Sequence, residues 1–170
     1  MSEQSELLKH LQQLLRSKRS ASFATLTNQG EPFVSMVPFA IDTQHAHFVI
    51  HISEFAAHTR YLLQRPTASL MLCTSEEEDK PVHDLSRVTF QVNAIAQERG
   101  TTSWAYYRDV YLNRFPDVEF MTHFKDFNFF ALEITRIRQV AGFGAAKTLD
   151  VSEVQSLSLI HISEPTRRYA

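Results

Sequence analysis

The sequence predicts a mainly β (α+β) protein, built as a closed or partly closed antiparallel barrel of six strands with flanking helices. Alternating apolar residues recur in short segments that turn residues separate, which is typical of strands. Three other segments show helical spacing instead. Closing six strands into a barrel removes the exposed edges that an open sheet would leave. The chain has 170 residues, enough for one compact domain.

Helices are predicted before Ser20, over residues 53–64 and over residues 101–114, with a short further helix after Pro116. In the first, Leu7, Leu11 and Leu14 recur at helical spacing. In the third, Tyr107 and Tyr111 lie on one face. The second ends before Pro66, because the residue that precedes a proline disfavours helical geometry.

Six strands account for most of the remaining chain. They are predicted over residues 22–27, 33–41, 46–52, 67–74, 86–98 and 127–140. Turn residues follow the first of them, from Asn28 to Pro32. Gly142 and Gly144 follow the last strand, and this pair of glycines indicates tight backbone geometry there.

Composition excludes several classes of function. The net charge of -2 disfavours nucleic acid as a partner, because phosphate binders usually carry a basic face. The single cysteine, Cys73, rules out an internal disulfide framework and favours a reducing compartment. No apolar run approaches the length that spans a bilayer, and no signal peptide is visible. We therefore expect a cytoplasmic protein that binds neither nucleic acid nor membrane.

The end of the sequence differs from the rest. Residues 160–164 repeat residues 50–54, but the flanking residues do not match, so no repeat architecture is indicated. The string from Ser158 to Ala170 resembles read-through of a sequencing adapter into an open reading frame. We therefore predict a split between a domain over residues 1–157 and a doubtful tail over residues 158–170 that is not native sequence.

Eight histidines make a metal site the first chemistry to consider. His47 and His51 stand roughly 13 Å apart along a strand, too far to share one ion. His45 is closer to His47, but no acidic or cysteine residue is found at ligand spacing. We therefore expect surface or core histidines. Motifs for a zinc helix, a nucleophile elbow, a phosphate loop or a dinucleotide site are absent from the sequence.

The segment after His51 is more informative. A strand that ends at Ser53 and a helix that begins there would aim free backbone N–H groups at one point, which suits an anion. Arg60 adds a guanidinium for phosphate or carboxylate, while His58 and Thr59 lie on a largely apolar face. Residue types alone favour a plainer alternative, in which Ser53 caps the helix, His58 packs and Arg60 is solvated.

An ordered set of segments resembles a known family. The segments are Ser20–Leu26, Val49–Leu63, Arg65–Leu70, Arg87–Phe90, Tyr111–Pro116, Asp126–Leu132 and Val140–Gly144. Together they resemble the pyridoxamine 5′-phosphate oxidase-like, FMN-binding split-barrel superfamily, and specifically its haem-iron utilisation (HugZ-type) branch. The likeness covers about residues 5–150.

This resemblance implies a six-stranded antiparallel split barrel that forms a homodimer, with ligand sites at the subunit interface. Members of the superfamily bind FMN there, whereas the haem branch binds haem and degrades it oxidatively to release iron. His58 and Arg87 match positions that line the haem site. Asp126 matches an acidic residue that sits beside the axial histidine and assists oxygen activation. From spacing alone, a structural role is equally possible for both residues. Arg87 would then be a solvated barrel residue, and Asp126 would only start a strand.

The resemblance also implies an axial histidine beyond the Gly-Phe-Gly segment. His161 is the only histidine in that region, so it is the candidate ligand of the haem iron, although it lies within the adapter-like string. A natural C-terminus that differs from this tail would place the ligand elsewhere.

Three functions follow as hypotheses. The leading one is an enzyme that degrades haem and releases iron. The second is an FMN-dependent oxidoreductase of the same superfamily, in which Ser53, Thr59 and Arg60 hold the flavin phosphate. The third is a haem carrier without catalytic activity.

Overall fold

The structure is a computed structural model, and it describes residues 3–152. Within that range the chain forms eight strands and three α-helices. The strands are β1 (Ser20–Leu26), β2 (Pro32–Pro38), β3 (Ala40–Asp42), β4 (His47–Ser53), β5 (Thr67–Cys73), β6 (Arg87–Ala96), β7 (Phe127–Val140) and β8 (Ala146–Leu149). The helices are α1 (Glu3–Ser17), α2 (Ala57–Gln64) and α3 (Thr102–Arg114), with 3₁₀ segments at Val82–Asp84 and Pro116–His123.

All the strands belong to one antiparallel sheet in the order β2-β1-β5-β6-β7-β4-β3, and β8 pairs with the end of β7. The sheet curls until β2 contacts β4. The predicted antiparallel split barrel is thereby confirmed. The three predicted helices are also present, although α2 begins later than expected.

The described residues form eight strands where six were predicted. One reason is that the predicted strand over residues 33–41 forms two strands, β2 and β3. Pro38 ends β2, since a proline has no N–H to continue the ladder. The buried Phe39 follows, and the chain then pairs with a new neighbour: β2 pairs with β1, whereas β3 pairs with β4. The other additional strand, β8, follows the glycine-containing turn after β7.

The barrel interior is filled by aromatic and aliphatic side chains. Phe23, Phe48, Phe90 and Phe130 are completely or almost completely buried in it. The apolar face of α1 packs against the same core, as its leucine spacing predicts. The barrel interior is therefore a packed core, so a ligand or partner would have to contact the outer surface of the sheet.

A second, smaller core lies between the sheet and α3. Successive residues of a strand point to opposite faces, so Phe48 and Ile50 enter the barrel while Val49 faces α3. Tyr107 and Tyr111 of α3 are buried against this face, in agreement with the face predicted for them. β4 is thus covered on both sides.

Hydrogen bonds fix α3 to the β3–β4 connection. The Tyr106 hydroxyl donates to Asp42 Oδ1 over 2.6 Å, and burial together with this bond raises the pKa of Tyr106. Asp42 Oδ2 lies 2.7 Å from His45 Nδ1, and Tyr107 Oη lies 2.9 Å from His47 Nδ1. The turn folds Asp42 back onto His45, an acidic neighbour that the sequence pattern did not indicate. Within residues 3–152, no three His, Cys, Asp or Glu side chains form a metal-binding group.

Candidate functional site

Asp126 is held at the point where β4 ends and β7 begins. Ser53 is the register partner of Phe127, and its hydroxyl donates to Asp126 Oδ2 over 3.0 Å. The backbone N–H of Glu54 donates to the Asp126 carbonyl oxygen over 2.7 Å. Both the side chain and the main chain of Asp126 are therefore positioned by the end of β4.

Arg99 fixes the segment that leads into Asp126. Its guanidinium donates to the carbonyl oxygens of Thr122, Phe124 and Phe127 over 3.0, 2.7 and 3.2 Å. The same guanidinium lies over the Trp104 ring, 4.9 Å from its centroid. Arg99 thus stabilises residues 122–127 through their backbone, and nothing in the sequence pattern indicated this role.

The helix predicted to begin at Ser53 begins four residues later, so the predicted helix start was wrong and Ser53 does not lie at the N-terminus of α2. The Ser53 hydroxyl accepts from the Phe55 N–H, and the Ser53 carbonyl accepts from the Ala56 N–H, which makes residues 53–56 a turn. Ala56 is the N-cap of α2 and supplies no side-chain cap. Because Ser53 is occupied by the turn and by Asp126, it does not present the start of a helix to a ligand.

Thr59 has a structural role in this turn. Its side chain is fully buried, and its hydroxyl donates to the Ser53 carbonyl oxygen over 2.6 Å. The hydroxyl is directed at the protein backbone, so its expected role in holding a phosphate is not supported by this geometry.

Replacing Thr59 with the isosteric valine is expected to lower the free energy of unfolding by about 1–2 kcal/mol, because one buried hydrogen bond is lost. Urea denaturation measures this change. Thr135→Val is the matched control, since the Thr135 hydroxyl also donates to a carbonyl but is exposed to water. Equal effects of the two substitutions would contradict the structural role.

His58 is half-buried between α2 and the first two strands. Its Nδ1 lies 2.9 Å from the Ser35 hydroxyl, and its ring meets Phe23 edge-on at 5.9 Å between centroids. Burial lowers the pKa of His58, which favours the neutral imidazole. Arg60, two residues further along α2, is exposed.

His51 is a buried titratable group close to this site that was not selected from the sequence as a site residue. Its side chain is 6% exposed, and its ring stacks on Phe129 at 4.2 Å between centroids. Within the described residues, its Nε2 is buried without a hydrogen-bond partner. Burial and the nearby Arg99 lower the pKa of His51 to about 4, against the attraction of Asp126. The imidazole is therefore neutral at physiological pH.

Arg87 lies at the far end of β7 from Asp126. It starts β6, where its register partner on β7 is Val140, the last residue of that strand. β7 has 14 residues, so Arg87 and Asp126 are separated by about 45 Å measured along the strand. The Arg87 side chain is partly buried, and its Nη1 donates to the Leu85 carbonyl oxygen over 3.0 Å. One chain therefore does not bring the two residues together.

Exposed apolar side chains accompany both ends of β7. Near Asp126, Phe55 is 75% exposed and Phe124 is 44% exposed. Near Arg87, Phe143 is 80% exposed and Val82 is 53% exposed. The remaining candidate, His161, lies outside the residues that the structure describes, as does the predicted boundary at residue 157. Among the described helices, none is both long and apolar enough to span a membrane.

Comparison with known proteins agrees with this architecture. Residues 7–141 match the family described as Pyridoxamine 5′-phosphate oxidase. The chain belongs to this family. Over 166 residues it is 30% identical to the protein named Heme oxygenase HutZ from Vibrio cholerae, an alignment that covers 97% of this chain and 92% of HutZ.

Solved structures show the same fold. The crystal structure of HutZ, described as the heme storage protein from Vibrio cholerae, matches with a TM-score of 0.69 and 28% identity, covering 75% of this chain and 89% of HutZ. A structure described as a heme binding protein from Mycobacterium smegmatis matches with a TM-score of 0.76 and 24% identity. That match covers 88% of this chain and 60% of the mycobacterial protein. The predicted superfamily and its haem-utilisation branch are thereby confirmed.

Proposed function

We propose that two copies of this chain bind haem between them and degrade it oxidatively to release iron. The observation that carries the proposal is the placement of Arg87 and Asp126 at opposite ends of β7. A site that uses both residues is complete only when a second chain supplies one of them. The names of the relatives, a haem oxygenase and a haem storage protein, support haem as the ligand.

The outer surface of the sheet supports a homodimer. On β2, Val34 is 66% exposed and Met36 is 62% exposed, and Met71 on β5 is 39% exposed. Met36 and Met71 flank Ser22 across the sheet, so they form one row of apolar and small side chains. Such a patch is typical of an interface between copies of a protein. We infer that the two-fold axis of this dimer is oriented so that the Arg87 end of one β7 lies beside the Asp126 end of the other.

Arg87 fits the binding of a haem propionate. A guanidinium has five N–H donors, and the bond to Leu85 uses one of them. The remaining donors can form a charge-assisted pair with a carboxylate, which partial burial strengthens.

Asp126 fits the positioning of an axial imidazole. Its Oδ2 accepts from Ser53, but a carboxylate has four acceptor positions and can accept from an imidazole N–H as well. Such a bond would fix the ring and increase its donation to iron. Haem supplies the iron centre at which oxygen is activated, while the protein orients it and excludes competing reactions. His58, as a neutral imidazole, would line the same site without adding charge.

Hemin titration of the purified full chain tests the proposal. We expect a shifted Soret band at one haem per chain, and loss of this band with release of iron when ascorbate and oxygen are added. Arg87→Ala is expected to weaken hemin binding by about 10- to 100-fold, the value of a hydrogen bond to a charged group. Arg65→Ala is the control, because Arg65 is exposed and donates to the Asn28 carbonyl oxygen.

The other outcomes identify the alternatives. A wild-type chain that gives no shifted Soret band overturns the proposal. A yellow preparation whose flavin absorbance is lost in Arg60→Ala would identify an FMN-dependent oxidoreductase. Hemin binding without breakdown would identify a haem carrier.

The same titration examines His161. If His161 ligates the iron, His161→Ala shifts the Soret band of the bound hemin. An unchanged band removes His161 from the site and leaves the axial ligand to another residue.

A further inference from the structure

The connection between β7 and β8 presents an exposed aromatic ring. The Ala141 N–H donates to the Ala145 carbonyl oxygen over 2.9 Å, which closes the loop. Gly142 and Gly144 have φ values of 83° and 81°, in the region that favours glycine. Between them, Phe143 is 80% exposed. The loop thus has a fixed backbone and carries its largest side chain at the surface.

Asp84 anchors this loop from a neighbouring segment. The backbone N–H of Phe143 donates to Asp84 Oδ1 over 2.9 Å. A Cβ atom on Gly142 would lie 2.9 Å from the same oxygen, closer than real side chains approach. The absence of a side chain at Gly142 therefore permits the contact that positions Phe143.

The surroundings of Phe143 extend towards Arg87. The segment Val82–Asp84 supplies the exposed Val82 and the exposed His83, whose ring centroid is 6.4 Å from that of Phe143. The next residue is Leu85, whose carbonyl oxygen binds the Arg87 guanidinium. An exposed aromatic and apolar patch therefore adjoins a cationic side chain. Exposed Phe143 contributes little to the core, so its anchored position is explained by a contact outside the chain.

We propose that Phe143, held in place by Asp84, forms one wall of the haem site and packs against the macrocycle next to the propionates bound by Arg87. This inference rests on the proposed function. A flat apolar macrocycle with acidic substituents matches a rigid aromatic ring beside a guanidinium, because ring stacking buries the apolar surface while the guanidinium pairs with the carboxylates. Asp84 acts as a positioning residue, since it touches the loop and not the ligand.

Titration of the full chain with hemin and with iron-free protoporphyrin IX tests this role. Phe143→Ala is expected to weaken the binding of both porphyrins by about tenfold, because stacking depends on the macrocycle and not on the iron. Phe143→Tyr keeps the ring and is expected to bind both porphyrins as the wild type does. Since Phe143 is exposed, the alanine variant is expected to keep the wild-type melting temperature.

The anchor gives a second readout. Asp84→Ala removes the acceptor for the Phe143 N–H and is expected to weaken porphyrin binding by severalfold. Asp84→Asn keeps an acceptor oxygen, so we expect it to restore most of the affinity. Leu63→Ala is the control for an exposed apolar side chain, because Leu63 on α2 is 64% exposed.

Two failures can be distinguished. A wild-type chain that binds neither porphyrin overturns the proposed function together with this inference. If the wild-type chain binds hemin and Phe143→Ala binds it equally tightly, only this inference is overturned. A decrease for hemin without a decrease for iron-free protoporphyrin also overturns it, because it would place the effect at the iron.

Discussion

Chains with Arg87→Ala and chains with Asp126→Ala are expected to restore each other's haem breakdown when they share a dimer. If each site takes Arg87 from one subunit and Asp126 from the other, both homodimers carry two damaged sites. The mixed dimer concentrates both substitutions in one site and leaves the other intact. By this symmetry, a purified mixed dimer should show about half of the wild-type rate per dimer.

The homodimers provide the reference for this experiment. Arg87→Ala is expected to weaken hemin binding as described above, and Asp126→Ala to slow breakdown by about 10- to 100-fold, the usual effect of removing a carboxylate behind a ligating imidazole. Two different affinity tags, one on each variant, allow the mixed dimer to be isolated after co-expression. Loss of the Soret band in the presence of ascorbate measures the rate.

A mixed dimer no more active than the homodimers would show that the site does not span two subunits in this way. A dimer of two tagged wild-type chains controls for the effect of the tags. A chain that is monomeric by sedimentation would contradict the proposed arrangement directly.

Lowering the pH from 6.5 to 4 is expected to reduce the free energy of unfolding through His51 by on the order of 3 kcal/mol. In the unfolded chain this imidazole titrates near pH 6.5, whereas in the folded chain its pKa is about 4. Between these values the unfolded state binds a proton that the folded state does not. The contribution of the neutral His51 ring to the free energy of unfolding is therefore fully present above pH 6.5 and is lost as the pH falls towards 4.

Urea denaturation of wild type and His51→Phe, at fixed protein concentration from pH 4.5 to 7.5, measures this contribution. Phenylalanine keeps a ring on Phe129, and the substituted Nε2 has no hydrogen-bond partner within the described residues. The free energy of unfolding of wild type minus that of His51→Phe is therefore expected to decrease as the pH falls. Burial also lowers the pKa values of His47 and His58, so the wild-type curve alone does not isolate His51. His123→Gln is the control, because His123 is exposed; parallel curves for wild type and His51→Phe would contradict the prediction.

Elements with a strong local pattern could be predicted from the sequence. α1 and α3 show apolar residues at helical spacing, and β7 has the predicted bounds, residues 127–140. The start of α2 could not be predicted from Ser53 alone. Ser53 has the right chemistry for a helix cap, but its oxygen accepts from the Phe55 N–H within a turn, while its hydroxyl donates to Asp126, 73 residues away.

The candidate site shows the same limit. Asp126 and Arg87 were selected by resemblance, yet their separation along β7 follows from strand register, which the sequence does not specify. Asp84 gave no signal, because a lone aspartate before a strand is most simply a solvated residue. His51 was expected to be a surface or core histidine rather than a metal ligand, and the packing of α3 against β4 shows that it is buried.

Arg99 donates its hydrogen bonds to the main-chain oxygens of Thr122, Phe124 and Phe127, and every amino acid carries such an oxygen. These three hydrogen bonds therefore do not depend on which side chains the three residues carry. Substitutions at Thr122, Phe124 or Phe127 therefore leave these three acceptor oxygens in place, whereas the loss of Arg99 removes all three hydrogen bonds at once.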